Sequence, residues 1–312
     1  MLDYIIFFIS LATLIYGADL IINQSGKIAL KFGISEYIIG ATLIALGTSL
    51  PEMAASISAS LNNKAELAVS NIIGSNIFNI TLVLALVLVI AKRVNPKRDF
   101  FAKDSSWALF PVLILVAISL NNSGISRFTG FAMVSLMGAY ILFLISSNSE
   151  ALLIEEEKEG LEKFSWIKTL FLLVTGFLLV VYGADYTVES ASNIAKKLGV
   201  SEWFVGVILV AIGTSMPELV VSIVAALKNR ADMAIGNIIG SNMANISIAL
   251  GLAAIANPIN INFHNYTFDI AVMVIATFML VFITANKMYT KPAGISLLIL
   301  LSIFFEHTLK SF

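Results

Sequence analysis

The sequence predicts an all-α membrane protein with ten transmembrane helices in two inverted five-helix repeats. Composition, the recurrence of long apolar stretches and an internal repeat support this prediction. Of 312 residues, 58% are hydrophobic and 12% are charged, whereas a soluble domain carries about 25% charged residues. Lipid is therefore the expected surrounding for most of the chain. The net charge of -1 leaves no basic surface for nucleic acid, and the chain has no cysteine, which excludes disulfides and thiolate metal sites.

Ten stretches are long and apolar enough to cross a bilayer, which takes about 20 residues per helix. They cover residues 3–22, 37–61, 67–91, 105–121, 128–146, 166–186, 203–227, 233–256, 267–285 and 292–308. One polar segment, with a glutamate-rich run at 155–159, divides them five and five. The sequence thus predicts a first repeat over residues 1–146, an acidic cytoplasmic linker over 147–165 and a second repeat over 166–312.

The internal repeat is the strongest signal of organisation. A shift of 166 residues aligns residues 17–84 with the second half without a gap. Gly-Thr-Ser-Leu-Pro-Glu at 47–52 returns as Gly-Thr-Ser-Met-Pro-Glu at 213–218, and Asn-Ile-Ile-Gly-Ser-Asn at 71–76 returns unchanged at 237–242. Because five is an odd number, the second repeat must enter the bilayer from the opposite face. Inverted repeats of this kind are an architecture of secondary transporters.

The basic residues predict the orientation of the spans. Of the 19 lysines and arginines, 14 fall in the loops after spans 1, 3, 5, 7 and 9. Cytoplasmic loops carry such an excess. We therefore expect a multi-pass protein of the cell membrane with both termini on the extracytoplasmic side.

Glu52 and Glu218 are the strongest candidates for an ion site because ionisable groups deep in a membrane are costly and usually functional. Pro51 lacks an N–H and should free the carbonyl of Gly47, a glycine that should let the backbone bend there. Thr48 and Ser49 add hydroxyls within the same turn, and the second half repeats the pattern. A kinked packing helix is the alternative for one copy, and two inverted copies argue against it.

Spans 3 and 8 should supply the rest of the site. Ser75 and Asn79 are four residues apart and share a helical face, as do Ser241 and Asn245. All these ligands are oxygens, which suits hard cations such as Na⁺, Ca²⁺, Mn²⁺ or Mg²⁺. Two ionised glutamates give a charge near -2, which one Ca²⁺ would neutralise and several Na⁺ could share.

With both motif pairs in view, the chain resembles the sodium/calcium exchangers of the calcium/cation antiporter superfamily, in their prokaryotic form. The resemblance covers essentially the whole chain. It implies a central Ca²⁺ bound by Glu52 and Glu218 with the carbonyls of Thr48 and Thr214, and it implies that spans 1 and 6 slide across the other eight. The Na⁺ sites or the site lining would then draw on eight further residues: Ala45, Ser49, Ser75, Asn79, Ala211, Ser215, Ser241 and Asn245. One departure concerns Asn79 and Asn245, since the prokaryotic pattern has an aspartate at one of these positions.

These features predict a Na⁺/Ca²⁺ antiporter that works by alternating access. It would need no cofactor and no obligatory protein partner, and its substrates would be Ca²⁺ and Na⁺. An H⁺/Ca²⁺ antiporter, or one for another divalent cation, stays open, although the paired hydroxyls beside each glutamate favour Na⁺. An intramembrane enzyme is less favoured because the spans contain no nucleophile–base pair and no zinc motif. A channel has little need of two inverted half-sites.

Overall fold

Eleven helices make up most of the part of the chain that the structure, a computed structural model, describes: residues 2–91, 94, 96, 104–121, 124–147, 164–198 and 213–310. They are α1 (Leu2–Phe32), α2 (Glu36–Thr48), α3 (Leu50–Leu61), α4 (Ala65–Ile90), α5 (Leu109–Asn121), α6 (Arg127–Ser146), α7 (Trp166–Lys197), α8 (Met216–Leu227), α9 (Ala231–Ala256), α10 (Thr267–Ala285) and α11 (Lys291–Lys310). A 3₁₀ turn at Phe263–Tyr266 precedes α10. Within these residues the β-structure is one isolated bridge between Ile125 and Ile259.

The long helices are apolar enough to cross a membrane. Seven helices in the described ranges have the necessary length and composition, and the bent pair α2–α3 makes an eighth span if it is counted as one. The shorter apolar helices α5 and α8 lie where the fourth and seventh spans were predicted. Residues 203–212 of the predicted seventh span, and residues 148–163 of the predicted linker, lie outside the described residues.

The break in the second span lies at Ser49, between α2 and α3, and the chain bends by 47° from one helix to the next. Pro51 follows in the first turn of α3, where a missing N–H costs no hydrogen bond. The expectation that Gly47 is the bending point was wrong, since Gly47 is helical and has no positive φ. Its lack of a side chain serves packing instead, because a Cβ there would run into the ring of Phe177 on α7.

Helices α1 and α7 form an antiparallel pair along their whole length. Ser10 accepts a 2.9 Å hydrogen bond from Thr187, near one end of the pair. The rings of Phe32 and Trp166 lie 5.5 Å apart at the other end. Between them the backbones approach at Gly17, where an added Cβ would lie 2.9 Å from the carbonyl oxygen of Gly176. The pair is a peripheral unit, because only 39% of an 18-residue apolar stretch of α1 and 33% of the corresponding stretch of α7 are buried.

Helices α4 and α9 form the centre of the molecule, because 78% and 83% of their 18-residue apolar stretches are buried. Helix α2 crosses α9 closely because α9 has glycines at the contact. A Cβ on Gly236 would lie 2.6 Å from the carbonyl oxygen of Tyr37, and one on Gly240 would overlap that of Ala41. Small residues are the usual means of such close contact between membrane helices.

The two halves repeat the same local structure at the same spacing. Leu50–Leu61 corresponds to Met216–Leu227 after a shift of 166 residues, and Ala65–Phe78 corresponds to Ala231–Ala244. Each of α4 and α9 then has a π-helical turn, at Asn79–Leu84 and Asn245–Leu250. The sequence did not predict these turns, which widen the helix by one residue and are frequent at functional sites.

Candidate functional site

The two glutamates lie near the start of the two short helices α3 and α8. Glu52 lies in the first turn of α3 and Glu218 in the first turn of α8. A helix N-terminus carries a partial positive charge and unpaired N–H groups, which stabilise a carboxylate placed there. Both side chains are buried, with 1% and 0% of their surface exposed. The first turns of α3 and α8 therefore hold two acidic groups in the interior.

A hydrogen bond joins the two motif copies directly. The hydroxyl of Ser49 donates to Oε1 of Glu218 over 2.8 Å. The hydroxyls of Thr48 and Ser241 lie near the same carboxylate, and Glu52 is close enough for its charge to interact with that of Glu218. The structure thus brings residues of α2, α3, α8 and α9 together in one cluster.

Many buried oxygens of the repeated motifs make no hydrogen bond to the protein. Ten buried side-chain oxygens of the described residues have no partner, and nine of them belong to the repeated motifs. These nine are Oε1 and Oε2 of Glu52, Oε2 of Glu218, Oγ of Ser75, Ser215 and Ser241, and Oδ1 of Asn79, Asn242 and Asn245. The tenth is Oγ of Ser25 on α1. A buried oxygen left unpaired costs about 1–3 kcal/mol, so the motifs hold a concentrated set of unsatisfied acceptors.

The predicted carbonyl ligands differ from one another in their surroundings. The carbonyl oxygen of Ala45 accepts from the backbone N–H of Ser49 at 3.0 Å and from the hydroxyl of Thr48 at 3.3 Å. Both of its lone pairs are therefore engaged in this arrangement. Thr214 is half-buried. Ala211 lies outside the described residues.

Four asparagines divide into two roles. Asn79 and Asn245 are buried at the first residues of the π-turns, and Nδ2 of Asn245 donates to Oδ1 of Asn76 over 3.4 Å. Asn71 and Asn237 instead tie neighbouring helices, since their Nδ2 atoms donate to serine hydroxyls of α3 and α8 over 2.9 and 3.0 Å. Asn237 also accepts from Thr48 over 3.2 Å.

Asn242 carries another of the unpaired oxygens, although it was not among the predicted site residues. Its Nδ2 donates to the carbonyl oxygen of Asn76 over 3.5 Å, and its Oδ1 stays unpaired. The asparagine recurs in both halves, and this recurrence was the available sequence signal.

An open cavity of about 410 Å³ lies between α7 and the segments that contain Pro51 and Pro217. Pro51, Thr214 and Pro217 line its inner side, and Asp185 and Glu189 of α7 line the other. Asp185 is the repeat partner of Asp19, and both were interpreted from the sequence as features of helix ends. The cavity therefore brings one of these aspartates next to the segments that hold the glutamates.

Comparison with known proteins places the chain beside membrane exchangers. The sequence profile of the family described as sodium/calcium exchanger protein matches residues 2–146 and 168–308. An uncharacterized membrane protein of Methanocaldococcus jannaschii is 35% identical over 249 residues, which cover 80% of each chain. The sodium/calcium exchanger MaX1 of Methanosarcina acetivorans is 29% identical over 95% of each chain. The solved structure of the sodium-calcium exchanger NCX_Mj soaked with Na⁺ and Sr²⁺ has a TM-score of 0.82 at 33% identity and covers 98% of each chain.

Proposed function

The chain belongs to the sodium/calcium exchanger family, and we propose that it exchanges Na⁺ for Ca²⁺ across the cell membrane by alternating access. The observation that carries the proposal is the set of nine buried, unpaired oxygens in the repeated motifs, three of which belong to Glu52 and Glu218. Leaving so many acceptors without partners is expensive unless a cation binds among them. The oxygen-only donor set suits the hard cations Ca²⁺ and Na⁺.

The charge of the cluster accounts for exchange between the two ions. Glu52 and Glu218, when both ionised, give a charge of about -2 in a buried setting, and one Ca²⁺ neutralises it. Several Na⁺ ions distributed over the same carboxylates, hydroxyls and amides would do the same. An empty site with this charge is costly to carry through a membrane, so each transit requires an ion and the two gradients are coupled.

In this proposal, Glu52 and Glu218 with the carbonyls of Thr48 and Thr214 hold Ca²⁺. The sodium sites and the site lining use Ala45, Ser49, Ser75, Asn79, Ala211, Ser215, Ser241 and Asn245. The engaged carbonyl of Ala45 must release the Thr48 hydroxyl before it can bind an ion. Asparagine at both 79 and 245 adds neutral oxygens, so the site charge rests on the two glutamates.

Alternating access follows from the two halves. We infer ten spans in two inverted repeats, the second entering the bilayer from the opposite face. The antiparallel course of α1 and α7, the first helices of the two halves, supports this arrangement. The bias of basic residues to the loops after odd spans supports cytoplasmic placement of those loops and extracytoplasmic placement of both termini. Movement of the α1–α7 pair across the inner helices would then open the site to each side in turn.

Flux measurements in reconstituted vesicles test the proposal. Proteoliposomes loaded with Na⁺ and diluted into Na⁺-free buffer should accumulate ⁴⁵Ca²⁺, and an external Na⁺ concentration equal to the internal one should abolish the uptake. A second set of vesicles carries only a pH gradient. Uptake driven by that gradient and not by Na⁺ would replace the proposal with H⁺/Ca²⁺ exchange. Downhill Ca²⁺ flux that is independent of both ions would indicate a channel.

A further inference from the structure

The outer pair α1–α7 contacts the inner helices unequally on its two sides. Helix α1 packs along α8, whereas α7 has little contact with α3, the repeat partner of α8. The 410 Å³ cavity lies on this second side, between α7 and Pro51 at the start of α3. Among the described residues, one face is therefore closed along α1 and the related face is open along α7.

Two basic side chains bridge the closed face. Lys228, in the turn after α8, forms an ion pair with Asp19 of α1 and donates to Oδ1 of Asn23 over 2.8 Å. Arg230 donates to Glu36 at the start of α2 over 2.6 Å. Its guanidinium lies directly against Gly26 of α1, where a Cβ would overlap it. The turn after α8 thus contacts the second half of α1 at two points.

The related turn after α3 has the same backbone and different side chains. Asn229 and Asn63 occupy the same left-handed conformation, with φ of 59° and 58°. The residue that corresponds to Lys228 is Asn62, which is neutral, and its side chain bonds back to the carbonyl oxygen of Ser58. Asp185, which corresponds to Asp19, lines the cavity, as does Lys196. The two faces therefore differ in their side chains at repeat-related positions.

We propose that Lys228, Asp19 and Asn23 form a latch that holds the α1 face closed and biases the protein toward the state open along α7. The proposal rests on the proposed function, because only a transporter with two access states has an equilibrium to bias. Lys228 and Asp19 are about one-third exposed, at 32% and 38%. A pair this exposed contributes modestly, enough to change the ratio of two states by about fivefold. That strength lets the latch set a preference and still open in each cycle.

Thiol accessibility can test the latch because the chain has no cysteine of its own. Ser25, fully buried beside Gly26, and Ser192, which lines the cavity, are each replaced by cysteine in separate proteins. Reaction rates with N-ethylmaleimide are measured on purified protein at fixed saturating Na⁺. Adding Lys228→Met should raise the rate at residue 25 by about fivefold and lower the rate at residue 192. Reciprocal changes report a shift between two states.

Control variants separate the latch from local loosening. Lys64→Met removes an exposed charge from the related turn and should change neither rate. The exchanged pair Asp19→Lys with Lys228→Asp should restore the original rates. Asn62→Lys, which offers Asp185 a partner on the open face, should shift both rates in the same direction as Lys228→Met. A rise at residue 25 alone, or no change at either residue, overturns the latch.

The failure of the latch can be distinguished from failure of the proposed function. Sodium-driven ⁴⁵Ca²⁺ uptake by the unmodified protein is measured in parallel. Uptake together with unchanged thiol rates in the Lys228→Met protein overturns the latch alone. Absence of Na⁺-driven uptake overturns the proposed function whatever the thiol rates are.

Discussion

Replacing Glu52 with glutamine keeps the shape of the side chain and removes one of two negative charges from the proposed site. Neither carboxylate oxygen of Glu52 bonds to the protein, so few native contacts are lost. Removal of one partner from a buried pair of opposite charges, here the Glu52 carboxylate that would face Ca²⁺, costs about 3–5 kcal/mol. This free energy corresponds to a Kd for Ca²⁺ that is raised about 100- to 4,000-fold. Na⁺ has half the charge and should lose about half of that free energy, a factor of about 10 to 60. Selectivity for Ca²⁺ should therefore fall at least tenfold.

Calorimetric titration of the purified protein with each cation measures these constants. Thermal unfolding gives a second measure, because a ligand stabilises the state that binds it. Added Ca²⁺ should raise the Tm of the unmodified protein and leave that of Glu52→Gln nearly unchanged. Glu66→Gln, an exposed glutamate at the start of α4, is the matched control. A Kd for Ca²⁺ within threefold of the original would remove Glu52 from the site. An equal loss for Na⁺ and Ca²⁺ would show that geometry, and not charge, is the cause.

Three further predictions concern the contacts around the motifs. Ser49→Ala removes the 2.8 Å hydrogen bond to Glu218 and one proposed Na⁺ ligand. Since a hydrogen bond to a charged group contributes about 1.5–3 kcal/mol, Na⁺-driven uptake at subsaturating Na⁺ should fall at least tenfold. An unchanged dependence of uptake on the Na⁺ concentration would contradict this role. Gly240→Ala should destabilise the protein by about 1–3 kcal/mol because the added Cβ overlaps the backbone of Ala41, which denaturant or thermal unfolding would detect. Gly74→Ala, at the related position with nothing within 4 Å of the added Cβ, should leave stability within about 0.5 kcal/mol; equal losses in the two variants would contradict the packing argument.

The motifs were predictable because they report on local chemistry. Proline, glutamate and paired hydroxyls in one turn indicate a broken helix with an acidic group, and the break lies within two residues of Pro51. The repeat also predicted that the two halves share one local structure, and the matched bounds of α3 with α8 and of the first turns of α4 with those of α9 agree with it.

Contacts between helices that are distant in the chain could not be predicted from the sequence. The role of Gly47 depends on Phe177, which is 130 positions away in the chain and meets it only after α7 packs. The π-turns at Asn79 and Asn245 have no distinct local signature, since a single extra residue in a helix is fixed by its packing. The unequal contacts of α1 and α7 are a property of one conformation, and the residues that the two repeats share cannot show which face is closed.

The bond between Ser49 and Glu218 has a consequence for synthesis in the membrane. The donor belongs to the first half of the chain and the acceptor to the second, so neither half alone can form this hydrogen bond. At a synthesis rate of about 5–20 residues per second, the 166 residues between related positions take about 10 to 30 s to make. During that interval a membrane-inserted first half carries Glu52 without its partner helices. Under the proposed function, a first half on its own therefore lacks the complete ion site that exchange requires.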